Sequence, residues 1–127
     1  MSRNTKQRIL DAALQLFNEE GYVNVRLAQI AELADMSVGN MAYHFPHKEQ
    51  ILEGIYDELL VEQRRLLAEI NLAPLFENFD YFLRATYGLQ KKYIFFYLDT
   101  LELVRASAGL KKAHQEHVQW QRMQLEL

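Results

Sequence analysis

Apolar side chains recur at helical spacing in three short runs over the first 45 residues. Ile9, Ala13, Leu16 and Phe17, followed by Gly21, predict an amphipathic helix over about 5–20 with a glycine stop and Asn4 or Thr5 as its cap. Leu27, Ile30, Ala31 and Ala34 occupy one face of a second helix at about 27–34. After Asp35, Met36 and Ser37 the stripe repeats as Val38, Met41, Ala42 and Phe45, a third helix. Ser37 suits its N-cap, because a hydroxyl there accepts from first-turn amides. Asp35 tolerates the left-handed backbone that a tight corner needs. Pro46 ends the third helix and holds Phe45 extended. Helical spacing resumes in Ile51, Ile55, Leu59, Leu66 and Ile70, predicting a long helix over about 47–70. A break at 71–74 precedes helices at about 74–90, 93–106 and 108–127. No strand alternation, hairpin dipeptide, repeat or low-complexity tract interrupts them. The pattern implies an all-α chain of about seven helices, divided into residues 1–47 and 48–127.

Composition narrows the class. Half of the 127 residues are apolar, 24% are charged and only seven are Gly or Pro, which is a folding composition. The absence of cysteine excludes disulfides, thiolate metal sites and a cysteine nucleophile, and fits a reducing, cytoplasmic setting. No apolar stretch has signal-peptide or membrane-spanning length. The net charge is −3, and residues 1–50 carry five basic against six acidic side chains. Nucleic-acid binders usually show a positive footprint, so bulk charge argues mildly against that class. Such a function has to rest on a local constellation.

That constellation lies in the second and third helices. Two short helices joined by a three-residue corner and braced by a preceding amphipathic helix have the layout of a helix-turn-helix DNA reader. With Met41, Ala42 and Phe45 packed inward, the third helix exposes Ser37, Gly39, Asn40, Tyr43, His44 and the edge of Val38. A helix of about two turns fits the major groove, its first residues at base edges and its far end at phosphate.

The stretch GYVNVRLAQIAELADMSVGNMAYHFPHKEQIL resembles the N-terminal domain of tetracycline-repressor-type (TetR) transcriptional regulators. Phe17, Gly21 and Tyr22 match the end of that family's leading helix. Ser37, Gly39, Asn40, Met41, His44, Phe45, Lys48 and Glu49 match its recognition segment, with Ile51 in place of leucine. The resemblance covers about fifty residues. It implies that Ser37, Val38, Gly39 and Asn40 face the groove while Tyr43, His44 and Lys48 contact the DNA backbone. Asn40 suits adenine readout, Val38 a thymine methyl, and Gly39 a close approach of helix to DNA. Two positions depart from the family. Val25 and Arg26 replace a threonine pair, leaving Arg26 to reach phosphate, and Ala42 replaces a phosphate-binding tyrosine. The bland alternatives are that Tyr43 and His44 merely cover a helix junction and that Lys48 belongs to a solvated face.

Nine of the fifteen aromatic residues fall between Phe76 and Tyr97. A bundle this rich in Phe and Tyr either encloses an apolar ligand cavity with a few polar tips or simply packs as core. In the resembled family this half binds an inducer, and Phe79, Phe82, Tyr87, Phe96 and Tyr97 are the candidate ligand contacts. The partners implied are double-stranded DNA, an inducing small molecule and a second copy of the chain, with no membrane and no cofactor. The alternative is a ligand-sensing or interaction module of the same fold with weak DNA affinity. An enzyme is the weakest reading, since no triad, phosphate loop or carboxylate pair stands out. His114 and His117 have i, i+3 spacing but no carboxylate completing a metal ligand set.

Overall fold

The computed structural model describes residues 2–72 and 79–125. These form α1 (Ser2–Glu20), α2 (Leu27–Leu33), α3 (Val38–His44), α4 (Lys48–Leu72), α5 (Phe79–Lys92), α6 (Ile94–Ala106) and α7 (Ala108–Leu125). A 3-10 turn at Tyr22–Asn24 lies between α1 and α2, and no strand occurs among the described residues. Among the described residues the expected all-α architecture of seven helices is the one observed.

Two boundaries differ from expectation. Helix α1 begins at Ser2, so Asn4 and Thr5 lie inside its first turns and not at the position before it. Nothing between Arg3 and Gln7 stops a helix, and the straight-chain Lys6 and Gln7 favour one. Helix α4 likewise continues through Asn71 to Leu72 instead of breaking at Asn71. The expected start of the fifth helix at Pro74 and the aromatic Phe76 lie outside the described residues.

One apolar cluster runs through the molecule. Ile9, Ala13 and Phe17 of α1 pack with Ile30 and Ala31 of α2, Met41 of α3, and Ile51, Leu52, Ile55 and Leu59 of α4. The same cluster continues through Tyr93, Phe95, Phe96 and Leu103 to Leu110 on α7. Each fully buried Phe, Leu or Ile contributes about 1.5–3 kcal/mol relative to exposure. Helix α4 is the spine, packing against α1, α5 and α7. Helices α2 and α6 also meet through α1, which packs against both. Phe17 and Phe95 rings lie 5.3 Å apart. Beside them the Asn18 side chain donates to the Lys92 carbonyl at 2.9 Å and accepts from the Phe95 N–H at 3.1 Å. A single amide thereby holds the α5–α6 corner against α1.

Candidate nucleic-acid interface

The entry to the two short helices is set by backbone geometry. Gly21 has φ 83°, the left-handed region, and its N–H donates to the Phe17 carbonyl at 2.9 Å, closing α1. The chain then turns so that the Tyr22 ring packs edge-on against Phe17 with centroids 5.1 Å apart. Val25 is buried and Arg26 is the exposed N-cap of α2. Gln29 accepts the Arg26 N–H at 2.8 Å, one half of a capping box, while the guanidinium has no acceptor atom with which to form the other half.

The corner between α2 and α3 follows the sequence expectation. Asp35 carries φ 57°, the positive-φ residue there, and Ser37 Oγ accepts the Asn40 N–H at 3.0 Å as N-cap of α3. The corner also has a brace that sequence reasoning missed. Arg8, on α1, donates to the carbonyls of both Ala34 and Asp35, the latter at 3.1 Å. A planar guanidinium can serve two carbonyls at once, which a lysine cannot do with fixed geometry. Nothing in the sequence distinguishes Arg8 from any polar residue on the outer face of an amphipathic helix.

Helix α3 stands on Met41, which has no solvent exposure. Ser37, Val38, Gly39 and Asn40 are all exposed, and the Tyr43 side chain is 84% exposed. A Cβ added at Gly39 would meet no atom within 4 Å, so internal packing does not require glycine there. His44 is half-buried, its ring edge-on to Tyr43 at 5.2 Å. Phe45 is extended at φ −135°, ψ 91°, and the helix ends ahead of Pro46 as expected.

Lys48 sits differently from a free surface cation. Its ammonium donates to the Tyr22 carbonyl and lies 4.1 Å from the Tyr22 ring centroid. Burial lowers its pKa from the ordinary lysine value. Burial and the neighbouring Glu49 and Glu53 push the Tyr22 phenol up to about 12. Lys48 thus ties the start of α4 to the turn preceding α2, next to the head but not stretched away from it. Arg26, Ser37, Val38, Gly39, Asn40 and Tyr43 are exposed together on the two-helix unit.

The five ligand candidates are dispersed. Phe82 and Phe96 are buried in the packed interior, Phe96 ringed by Tyr56, Tyr97 and His114 at 4.9–5.7 Å. Phe79 and Tyr87 are more than half exposed on α5. Tyr97 is half-buried and lines a cleft. The two α7 histidines make protein contacts. His114 Nδ1 lies 2.8 Å from the Tyr56 hydroxyl, and His117 Nε2 lies 2.6 Å from Gln63 Oε1. Among the described residues no group of three His, Cys, Asp or Glu is placed to hold a metal ion. No described helix is long and apolar enough to cross a membrane.

Comparison with known proteins supplies the context. Residues 9–55 match the family described as bacterial regulatory proteins, tetR family. The chain is 41% identical over 70 residues to the HTH-type transcriptional regulator RutR of Escherichia coli K12, a match covering 55% of this chain and 29% of that protein. It is 31% identical over 70 residues to the HTH-type transcriptional regulator CymR of Pseudomonas putida, covering 52% and 34% respectively. The chain therefore spans about a third or less of the length of these curated relatives. A TetR-family transcriptional regulator from Marinobacter aquaeolei VT8 superposes with a TM-score of 0.76 at 26% identity, over 90% of this chain and 57% of that one. A transcriptional regulator from Aquifex aeolicus VF5 gives 0.73 at 25% identity, over 94% and 68%. Residues 9–55, which carry α2 and the capped, exposed α3, are thus similar to the bacterial regulatory proteins of the tetR family, and the wider chain shares the fold of solved regulators of that type.

Proposed function

We propose that this chain acts as a DNA-binding transcription regulator, a ligand-responsive repressor that reads a palindromic operator as a homodimer. The observation that carries the reading is α3 itself: Ser37 caps it, Met41 anchors it, and Ser37, Val38, Gly39 and Asn40 are left exposed at its N-terminal end. In a helix-turn-helix reader that end meets base edges, and two readers occupy half-sites about 34–36 Å apart. Asn40 pairs with adenine, Val38 packs on a thymine methyl, and Arg26, Tyr43 and His44 hold phosphate. Lys48 reaches phosphate by exchanging its Tyr22 contact for the DNA backbone. Residues 1–47 form the reading head and 48–127 the ligand-responsive part.

The test is a salt-series titration of the chain against DNA from its own upstream region and a scrambled control, with particle mass read in parallel. Selective binding by a dimer is expected. Asn40→Ala should lose about 1–3 kcal/mol of base discrimination. Arg26→Ala should weaken all DNA about equally and flatten the salt slope by about one unit. Equal binding of both DNAs by a monomer would favour the second reading, an interaction or ligand-sensing module. That reading draws on the net charge of −3, on Ala42 at a phosphate-contact position and on the engaged Lys48.

A further inference from the structure

A cleft of about 240 Å³ opens among α4, α5, α6 and α7. Its polar lining is Gln63, Thr86, Gln90, Tyr97 and Gln121, and the remainder is three leucines. No Asp, Glu, Lys, Arg or His lines it. We propose that this cleft binds a small uncharged molecule bearing a carbonyl acceptor, and that the Tyr97 hydroxyl is the donor that holds it.

The direction of the hydrogen bonds assigns that role. Gln63 Oε1 can only accept, so His117 Nε2, 2.6 Å away, carries the proton between them. The other ring nitrogen, Nδ1, is then an unprotonated acceptor, and it is buried with no partner on a residue only 3% exposed. The Gln63 amide nitrogen in turn donates to the Tyr97 oxygen. The chain runs His117 to Gln63 to Tyr97, each member donating to the next. The Tyr97 oxygen already accepts a hydrogen bond from Gln63, which leaves its own O–H to donate. Burial raises the Tyr97 pKa, so the phenol keeps that proton at neutral pH. Donors at the end of such a chain are polarised by the bonds behind them.

The rest of the lining fixes the ligand class. An ion entering the cleft would lose hydration with no counter-charge to replace it, whereas an amide, lactone or ketone would lose little and gain a donor. The leucines take the apolar part. A bound carbonyl accepts from the Tyr97 donor at the cleft wall. The biological purpose of the site rests on the regulator reading above, but its chemistry does not.

The experiment uses the full chain without DNA, so its result is independent of whether the chain binds an operator. Three neutral probes, N-methylpyrrolidone, δ-valerolactone and cyclohexanone, are compared with valerate and butylammonium at millimolar concentration. Binding is read by saturation-transfer NMR and by fluorescence of Trp120, which neighbours Gln121 and stacks on His117 at 5.8 Å. The neutral probes should bind and the ions should not. Tyr97→Phe, which removes one hydroxyl, should weaken the neutral probes about tenfold, as loss of one well-aligned hydrogen bond does. Gln90→Trp, at the exposed rim, should block all three by closing the cleft while leaving the urea midpoint unchanged. Absence of neutral binding, equal binding of the ions, full affinity in Tyr97→Phe or retained binding in Gln90→Trp would each overturn the proposal.

Discussion

At the scale of single residues, α3 separates a position that holds the fold from positions left exposed. Met41 is enclosed by the core, so Met41→Ala should cost about 2–5 kcal/mol and is uninformative about DNA. Gly39 is the more discriminating site. A methyl there meets no protein atom, and alanine is favoured over glycine inside a helix by about 0.8–1.0 kcal/mol. Gly39→Ala should therefore leave the urea midpoint unchanged or slightly raised while weakening operator binding, because only a docked duplex would feel the new methyl. A variant that binds DNA as tightly as the parent would show that α3 does not approach the groove at this point. The exposure of Ser37, Gly39 and Asn40 was legible in the sequence through their spacing. Arg8 was not, because its role depends on two carbonyls 26 and 27 residues away.

At the scale of elements, α7 is held to α4 by a polar seam rather than by apolar contact alone. His114 meets Tyr56, His117 meets Gln63, and the Arg64 guanidinium lies over the Trp120 ring at 5.4 Å. Burial lowers the pKa of both histidines from 6.5, with Arg64 and His114 adding to the effect at His117. The unfolded chain thus binds more protons than the folded one below about pH 6.5, so stability is fully present above that pH and is lost as pH falls. Asp57 and Glu58 are shifted upward by burial and act with opposite sign, but in the lower, carboxylate range. Urea midpoints should accordingly drop between pH 7.5 and 5.5, and His117→Gln should shrink the drop. An unchanged difference in that variant would assign the acid sensitivity to other groups. The sequence showed the i, i+3 histidines but not their partners. Spacing says which residues share a helix face and nothing about which helix lies opposite.

At the scale of the whole molecule, α1 is joined to the later helices twice, by packing against α4 and by the Asn18 clasp on the α5–α6 corner. One continuous core follows from that arrangement. Unfolding in urea should therefore give coincident transitions by far-ultraviolet circular dichroism and by fluorescence of Trp120, the chain's sole tryptophan. Asn18→Ala, which leaves the Phe95 N–H without its partner, should lower both midpoints together, at about 1–3 kcal/mol. A circular-dichroism transition preceding the fluorescence change would mean that the head melts independently of α7.

The sequence by itself determined the elements: seven helices, the glycine stop after α1, the left-handed Asp35, the Ser37 cap and the Pro46 terminus all follow from local backbone chemistry and period. The exposed set on α3 was legible too, because a two-turn helix with one apolar stripe has only one face left. The aromatic-rich second half was not legible in this way. There Phe82 and Phe96 are buried, Phe79 and Tyr87 are exposed, and Tyr97 borders a cleft, although all five share residue type and neighbourhood. Helices with large apolar residues on several faces can pack in more than one orientation, so only the tertiary arrangement of α4 to α7 decided which rings became core. Tertiary packing likewise decided that Lys48 would lean on Tyr22 and that Gln63 would link His117 to Tyr97, contacts made across sequence separations that no local rule spans.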